Sequence, residues 1–283
     1  MGLTASEQEI MKKLHDKSYE MLCRFDDICR KHGIKYCLVH GTLLGAVRHK
    51  DFIPWDDDID IYISRENYNK LLEFRDEFKP YYIHEPNPED RSFWDFTPRI
   101  VNEDVVLLKD SEETEFYNHI NCQYLFIDLF VLDNHPEGFL GKLQVFEMKL
   151  LYVLATSKRY KGNYNQPKSK LAQIPVFVLS RLGYLFSLET LLKMYDRVSK
   201  KYNSRDCDEY IASTMTITYL SKNIHKKAWY KEIIELPIRE RTFFASSHYD
   251  EILRHHFGNY MEFPPEEKRV PDHAATLNEV VFK

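Results

Sequence analysis

The run Asp56-Asp57-Asp58-Ile59-Asp60-Ile61-Tyr62-Ile63 constrains this chain more than any other stretch. From Asp58 to Ile63 polar and apolar residues alternate, which is the period of a strand with one face in a core. On such a strand Asp58 and Asp60 share one face, about 7 Å apart at the backbone, while Ile59 and Ile61 point the other way. Holding several carboxylates together without a cation is costly, so an acidic group on a core strand calls for a metal. Their side chains can converge on one Mg²⁺ or on a pair of ions. A solvated acidic turn is the ordinary alternative, and the Ile59/Ile61/Ile63 alternation argues against it.

Two further pieces precede and follow that strand. His40-Gly41-Thr42 stands at the end of a short apolar stretch (Ile34–Val39), with a helix expected from Leu43 to Arg48. A glycine there lets a phosphate approach the backbone, and the helix start offers amide donors. Alone, a Gly-Thr is an ordinary strand-to-helix turn. Asp128 interrupts the apolar run Tyr124–Leu132, where a carboxylate is expensive unless paired or ligating. It would bridge metals or take the proton of an attacking hydroxyl, or else serve as a hydrogen-bonded structural residue.

Around these pieces the pattern predicts an α+β protein. A long amphipathic helix is expected over Ser6–His32, opened by a Ser6/Glu9 capping box and closed by Gly33. Helices are expected at Glu66–Phe78, Phe139–Thr156, Lys170–Lys200 and Ser246–Phe257, with a weaker strand at Val105–Lys109. Strand signals thin out after Gly138. The division is therefore a core over residues 1–137 and a mainly helical half over 138–283, packed as a single unit.

Net charge is −5, which excludes a globally basic nucleic-acid binder. The average hides an asymmetry: from Met148 to Leu188 there is no Asp or Glu but seven Lys and Arg. Five cysteines without a C-x-x-C pair, and a first decapeptide lacking a basic and an apolar region, lead us to expect reduced thiols in a cytoplasmic protein. No run approaches the roughly 20 apolar residues of a membrane span.

Gly-Thr, then Asp-x-Asp on a strand, then a third Asp on a later strand is the order seen in the nucleotidyltransferase fold. The segment from His40 to Ile61 (HGTLLGAVRHKDFIPWDDDIDI) closely resembles the signature of the LicD family, to which fukutin-type proteins are related. Phe257 to Arg269 (FGNYMEFPPEEKR) resembles the family's closing motif, so the resemblance runs from about residue 20 to 275. Asp51 stands where the family pattern has glycine, and Asp128 lies in IDLFVLD where many relatives read closer to IDIFPLD.

That resemblance implies a nucleotidyltransferase-like core sheet with flanking helices and a phosphotransferase acting on a CDP-activated alcohol, CDP-choline foremost. The acceptor would be a sugar hydroxyl of a cell-surface glycan, such as a teichoic acid, lipopolysaccharide or capsule precursor, with CMP as leaving group. Ethanolamine-, glycerol- and ribitol-phosphate donors are the alternatives. It assigns Asp58, Asp60 and Asp128 to Mg²⁺ (or Mn²⁺), with Asp128 also assisting deprotonation, and Gly41 and Thr42 to the donor phosphates. Arg48, Lys50, Arg99 and Arg269 would neutralise phosphate charge, and His40, His49 and His273 would donate hydrogen bonds. An aromatic box from Phe93-Trp94-Asp95-Phe96 and Tyr81-Tyr82 would suit a choline head. Two other classes stay open: a metal-dependent glycosyltransferase, and a non-catalytic protein that has kept the fold. A lipid-linked acceptor would also give the acid-free basic stretch, with apolar Leu171–Leu188, a peripheral docking role at the inner membrane face.

Overall fold

The computed structural model describes residues 3–89, 93, 95–107, 124–159, 170–213, 220–271, 277 and 280–283; Trp94, Cys122 and His273 lie outside them. Helix α1 (Ala5–His32) opens at Thr4, whose side chain accepts from the Glu7 amide while Glu7 reaches back to the Thr4 amide. The capping box is therefore Thr4/Glu7 rather than Ser6/Glu9, two overlapping copies of one spacing. Gly33 closes the helix in the left-handed region at φ 63°, as expected. Leu14, Met21, Leu22, Phe25 and Ile28 form the buried stripe that seats α1 in the main core.

Among the described residues the main sheet has eight strands and is mixed. Strand β1 (Cys37–Leu38) pairs antiparallel with β2 (Ile59–Ser64), and β2 runs parallel to the long β5 (Tyr124–His135). Strand β4 (Arg99–Val106) lies antiparallel on the other side of β5 and itself pairs with β3 (Tyr82–His84). β4 thus begins six residues earlier than the Val105–Lys109 expectation. Parallel neighbours need a crossover, and the chain between β2 and β5 supplies it, beginning with α3 (Arg65–Glu73). The shorter α2 (His40–Arg48) connects β1 to the loop before β2.

Ile59, Ile61 and Ile63 of β2 and Ile127, Leu129 and Val131 of β5 all enter the main core on one face of the sheet. On the opposite face Tyr62, Phe130 and Leu132 form a smaller cluster with Val39 and Ala212. The two-residue period read from the sequence is the real one, and it puts Asp60 and Asp128 together on the face away from the main core.

Between Gly138 and Ser199 the described residues form three helices, α4 (Gly138–Ala155), α5 (Lys170–Leu182) and α6 (Leu188–Ser199). The single helix expected over Lys170–Lys200 is thus two, because a 3₁₀ turn at Gly183–Leu185 ends one and Ser187 caps the next through the Thr190 amide. Gly183 approaches the Leu154 carbonyl so closely that a Cβ there would overlap it, which fixes the turn against the end of α4. Leu151, Tyr152, Leu191 and Tyr195 join Phe93 and Phe96 in a second core.

Beyond α6 the half expected to be mainly helical also holds strands. β6 (Glu209–Ala212) and β7 (Ile224–Lys226) extend the sheet from β5, and β10 (Val281–Phe282) pairs with β4. β8 (Ile233–Ile238) and β9 (Arg241–Ser246) form a separate hairpin, followed by α7 (Tyr249–Phe257). Strands from residues 138–283 complete the sheet begun in 1–137.

Candidate active site

Strand register builds the centre. Asp60 of β2 lies opposite Asp128 of β5, and Asp128 lies opposite Arg99 of β4. Three adjacent strands about 4.8 Å apart thus carry carboxylate, carboxylate and guanidinium in one row. All three are at least nine-tenths buried.

Arg99 Nε lies 2.7 Å from Asp128 Oδ1 and its Nη2 lies 2.9 Å from Asp95 Oδ2. Its guanidinium also sits 4.9 Å from the centre of the Phe126 ring. The phosphate contact expected of Arg99 is therefore replaced by an internal one: a buried cation that neutralises Asp128 and Asp95. Asp95 is itself held in place by accepting from the Thr97 amide at 2.8 Å.

Asp60 is in the opposite situation. Burial first, and then the charges of Asp58, Asp128 and Asp56, hold its carboxyl well above the usual carboxylate range, against a hydrogen bond from the Gly41 amide. Its own amide donates to Thr42 Oγ1 at 2.9 Å, and its carbonyl accepts from the Val39 amide at 3.2 Å. Gly41 and Thr42 thus stitch the start of α2 to β2, and Thr42, 1% exposed, is spent on that joint rather than presented to a ligand. A Cβ on Gly41 would overlap the Asp56 carboxylate, so only glycine lets Asp56 lie against the helix start. Asp56 is positioned in turn by its carbonyl, which lies 2.8 Å from His15 Nε2.

Among the described residues no three His, Cys, Asp or Glu side chains are already gathered as a metal centre. The donor chemistry nonetheless fits a hard divalent cation: every ligand on offer is a carboxylate oxygen, and Asp60 is destabilised by its acidic neighbours in the way a bound cation would relieve.

His40 enters α2 with φ 45°, a left-handed conformation unusual for a side chain bearing Cβ. Its ring meets Tyr62, Phe130 and, at 4.5 Å between ring centres, His256. The Tyr62 hydroxyl bonds Asn223 Oδ1 at 2.5 Å and lies 3.1 Å from His225 Nε2. Burial, then neighbouring imidazoles, keep His40 and His225 neutral well below the ordinary histidine range and bring His256 to about 4. None of Tyr62, Asn223, His225 or His256 carried a local signal in the sequence, because their meeting depends on α7 and β7 folding back onto β2.

The remaining expected residues gather elsewhere. Arg48 donates to the Tyr260 carbonyl at 2.9 Å and lies 4.4 Å over Phe263. Arg269 donates to the Pro264 carbonyl at 2.9 Å and lies over Phe263 and Trp55, while His49 meets both rings edge-on. Burial and then Arg269 disfavour the charge on Arg48, so these two guanidiniums form a like-charged pair that an anion would relieve. Lys50 is exposed and donates to the Val47 carbonyl at 3.1 Å. Phe93 and Phe96 belong to the second core, with Phe96 stacked on Tyr195 at 3.5 Å, so they are not free to form a box; Trp94 and His273 lie outside the described residues. Asp51, at the expected glycine position, instead binds Arg239 Nε at 2.9 Å.

A family model described as the LicD/FKTN/FKRP nucleotidyltransferase domain matches residues 33–142. The chain is 27% identical over 288 aligned residues to the lipopolysaccharide cholinephosphotransferase LicD of Haemophilus influenzae, covering 93% of this chain and 97% of that protein. It is 46% identical over 43 residues to the human ribitol 5-phosphate transferase FKRP, covering 15% of this chain and 9% of FKRP. An uncharacterised protein of Rickettsia prowazekii is 35% identical over 82 residues, which is 27% of this chain and 31% of that one.

Proposed function

Since the chain carries a LicD-family domain and aligns with a LicD relative over nearly its whole length, we propose that it transfers a phospho-alcohol, phosphocholine foremost, from a CDP-activated alcohol to a sugar hydroxyl of a cell-surface glycan. The observation that supports this best is the buried carboxylate row at the start of α2, where Asp60 is strained by Asp58, Asp128 and Asp56. A nucleotidyltransferase-like core is part of the same reading.

In the reaction the acceptor hydroxyl oxygen forms a bond to the phosphorus bearing the alcohol, the bond from that phosphorus to CMP breaks, and the hydroxyl proton passes to a base. Asp58, Asp60 and Asp128 would hold Mg²⁺ or Mn²⁺, which when bound supplies positive charge to the phosphoryl oxygens and the leaving phosphate. Asp128 is the proton acceptor, and Arg99 at 2.7 Å fixes its direction. Gly41 and Thr42 set the position of Asp60 rather than bind phosphate themselves. The Arg48 and Arg269 pair, with two cations facing one aromatic cluster, is where the nucleotide's phosphate charge is taken up. The FKRP match supports a second reading with the same site, in which ribitol phosphate is the transferred group.

The test is acceptor-dependent nucleotide release with CDP-choline, CDP-ribitol, CDP-glycerol, CDP-ethanolamine and UDP-sugars, each with Mg²⁺, Mn²⁺ or chelator. CMP release from a CDP-alcohol that needs the metal supports the proposal. UDP release alone contradicts it.

A further inference from the structure

The acid-free segment identified in the sequence folds into an apolar surface with an unusual edge. On α5, Ile174, Phe177, Val178 and Leu182 recur at i, i+3, i+4 and i+8 and so share one face, and all four are exposed. The following turn adds Tyr184 and Leu185, the latter 78% exposed. The other side of α5 packs on α4, with Ser180 buried between them. A row of six large apolar side chains facing outward is beyond what scattered surface residues explain.

Two cations of the segment, Arg181 and Lys158, border this surface, whereas Lys149 bonds Ser221 and Arg159 is buried against Tyr152. Arg181 sits 5.0 Å over Phe177 and 5.9 Å over Tyr184, and Lys158 sits 5.4 Å over Tyr184. Neither makes a salt bridge to a carboxylate among the described residues, in a chain whose other exposed Lys and Arg are widely paired. Their charged ends thus rest against aromatic rings of the apolar face, which puts positive charge at the edge of that face.

We propose that the outer face of α5 and the Gly183–Leu185 turn lies in the interface of an anionic lipid bilayer. Charge selects that occupant. A second copy docked by a two-fold axis would bring Arg181 and Lys158 against their own counterparts, which repel. An anionic leaflet offers apolar depth for Phe177 and Leu185 and negative headgroups for the rim. The contact is parallel to the surface rather than spanning. No single helix among the described residues is long and apolar enough to cross a membrane, and α6, bent 113° from α5, turns Glu189, Lys193 and Asp196 outward. The helix of 13 residues, about 20 Å long, matches an interfacial segment.

The inference rests on the surface alone and its test requires no turnover. Full-length protein is sedimented with vesicles of phosphatidylcholine, and with vesicles containing 30 mol% phosphatidylglycerol in phosphatidylcholine. We expect binding to the anionic vesicles that weakens with salt, and little to the neutral ones. Arg181→Gln should weaken it about fivefold, the loss expected for one surface charge at about 1 kcal/mol. The double variant Phe177→Ser/Leu185→Ser should lose it, with cooperative thermal unfolding retained because both side chains are exposed. Equal binding to both vesicle types, no binding, or a double variant that binds like wild type overturns the proposal. So does a dimer in light scattering that Leu185→Ser dissociates, which would make the face a protein interface.

Discussion

Replacing Arg99 with Met isolates the electrostatic design of the site. The guanidinium is 93% buried and stands between Asp128 at 2.7 Å and Asp95 at 2.9 Å. Methionine keeps much of the volume against Phe126 but leaves two buried carboxylates without their cation. Breaking a buried pair by removing one partner costs about 3–5 kcal/mol. At roughly 2–3 °C per kcal/mol for a protein of this size, thermal unfolding in chelator should fall by about 6–15 °C. The carboxylate row then lacks the Arg99 charge, so Mg²⁺ should raise the midpoint of Arg99→Met more than that of wild type. The measurement is thermal denaturation by circular dichroism across a Mg²⁺ series. A loss below about 1 kcal/mol would show that Arg99 does not neutralise Asp128 in solution. An equal Mg²⁺ effect on both proteins would refute competition between the guanidinium and a metal for that carboxylate.

Other expectations follow from the same geometry. Asp60→Asn should abolish turnover yet leave the unfolding midpoint in chelator unchanged or higher, because it removes a charge that burial and three acidic neighbours destabilise; a large fall in the midpoint would contradict this. Gly41→Ala places a methyl where the Asp56 carboxylate lies, so activity should drop at least tenfold in steady-state assays while the fold persists by circular dichroism. His256, brought to about 4 in the fold against 6.5 in the unfolded chain, contributes stability that is complete above pH 6.5 and lost as pH falls toward 4. The full contribution is about 3 kcal/mol, so urea unfolding of His256→Gln should depend less on pH than wild type over that range, and parallel curves would refute the assignment.

Local chemistry made some elements legible and left others hidden. The Ile59/Ile61/Ile63 alternation told which face of β2 is core and so placed Asp60 and, through an equivalent apolar strand, Asp128. Gly33 announced the end of α1 because only a residue tolerant of positive φ closes a helix that way. The β8–β9 hairpin was invisible for the converse reason. Its turn residues are Arg239 and Glu240, with Arg239 at φ 54°, in place of the Asn-Gly or Asp-Gly that advertises such a turn. The break after α5 did carry its signals, Gly183 and a Ser187 cap, but within an apolar stretch they read as one continuous helix. Asp95–Arg99–Asp128 and the His40–His256 contact were out of reach, because a pairing between strands, or across more than two hundred residues, leaves no local period.

We propose that the carboxylate row supports transfer of a phospho-alcohol from a CDP donor. It is tested most directly by incubating the protein with Mg²⁺, an isotopically labelled CDP-choline and a glycan acceptor, then examining the glycan by mass spectrometry. Wild type should yield a phosphocholine-bearing glycan and an equal amount of CMP, and Asp60→Asn should yield neither. If no CDP-alcohol modifies the acceptor and a sugar is transferred from a nucleotide sugar instead, the account is wrong.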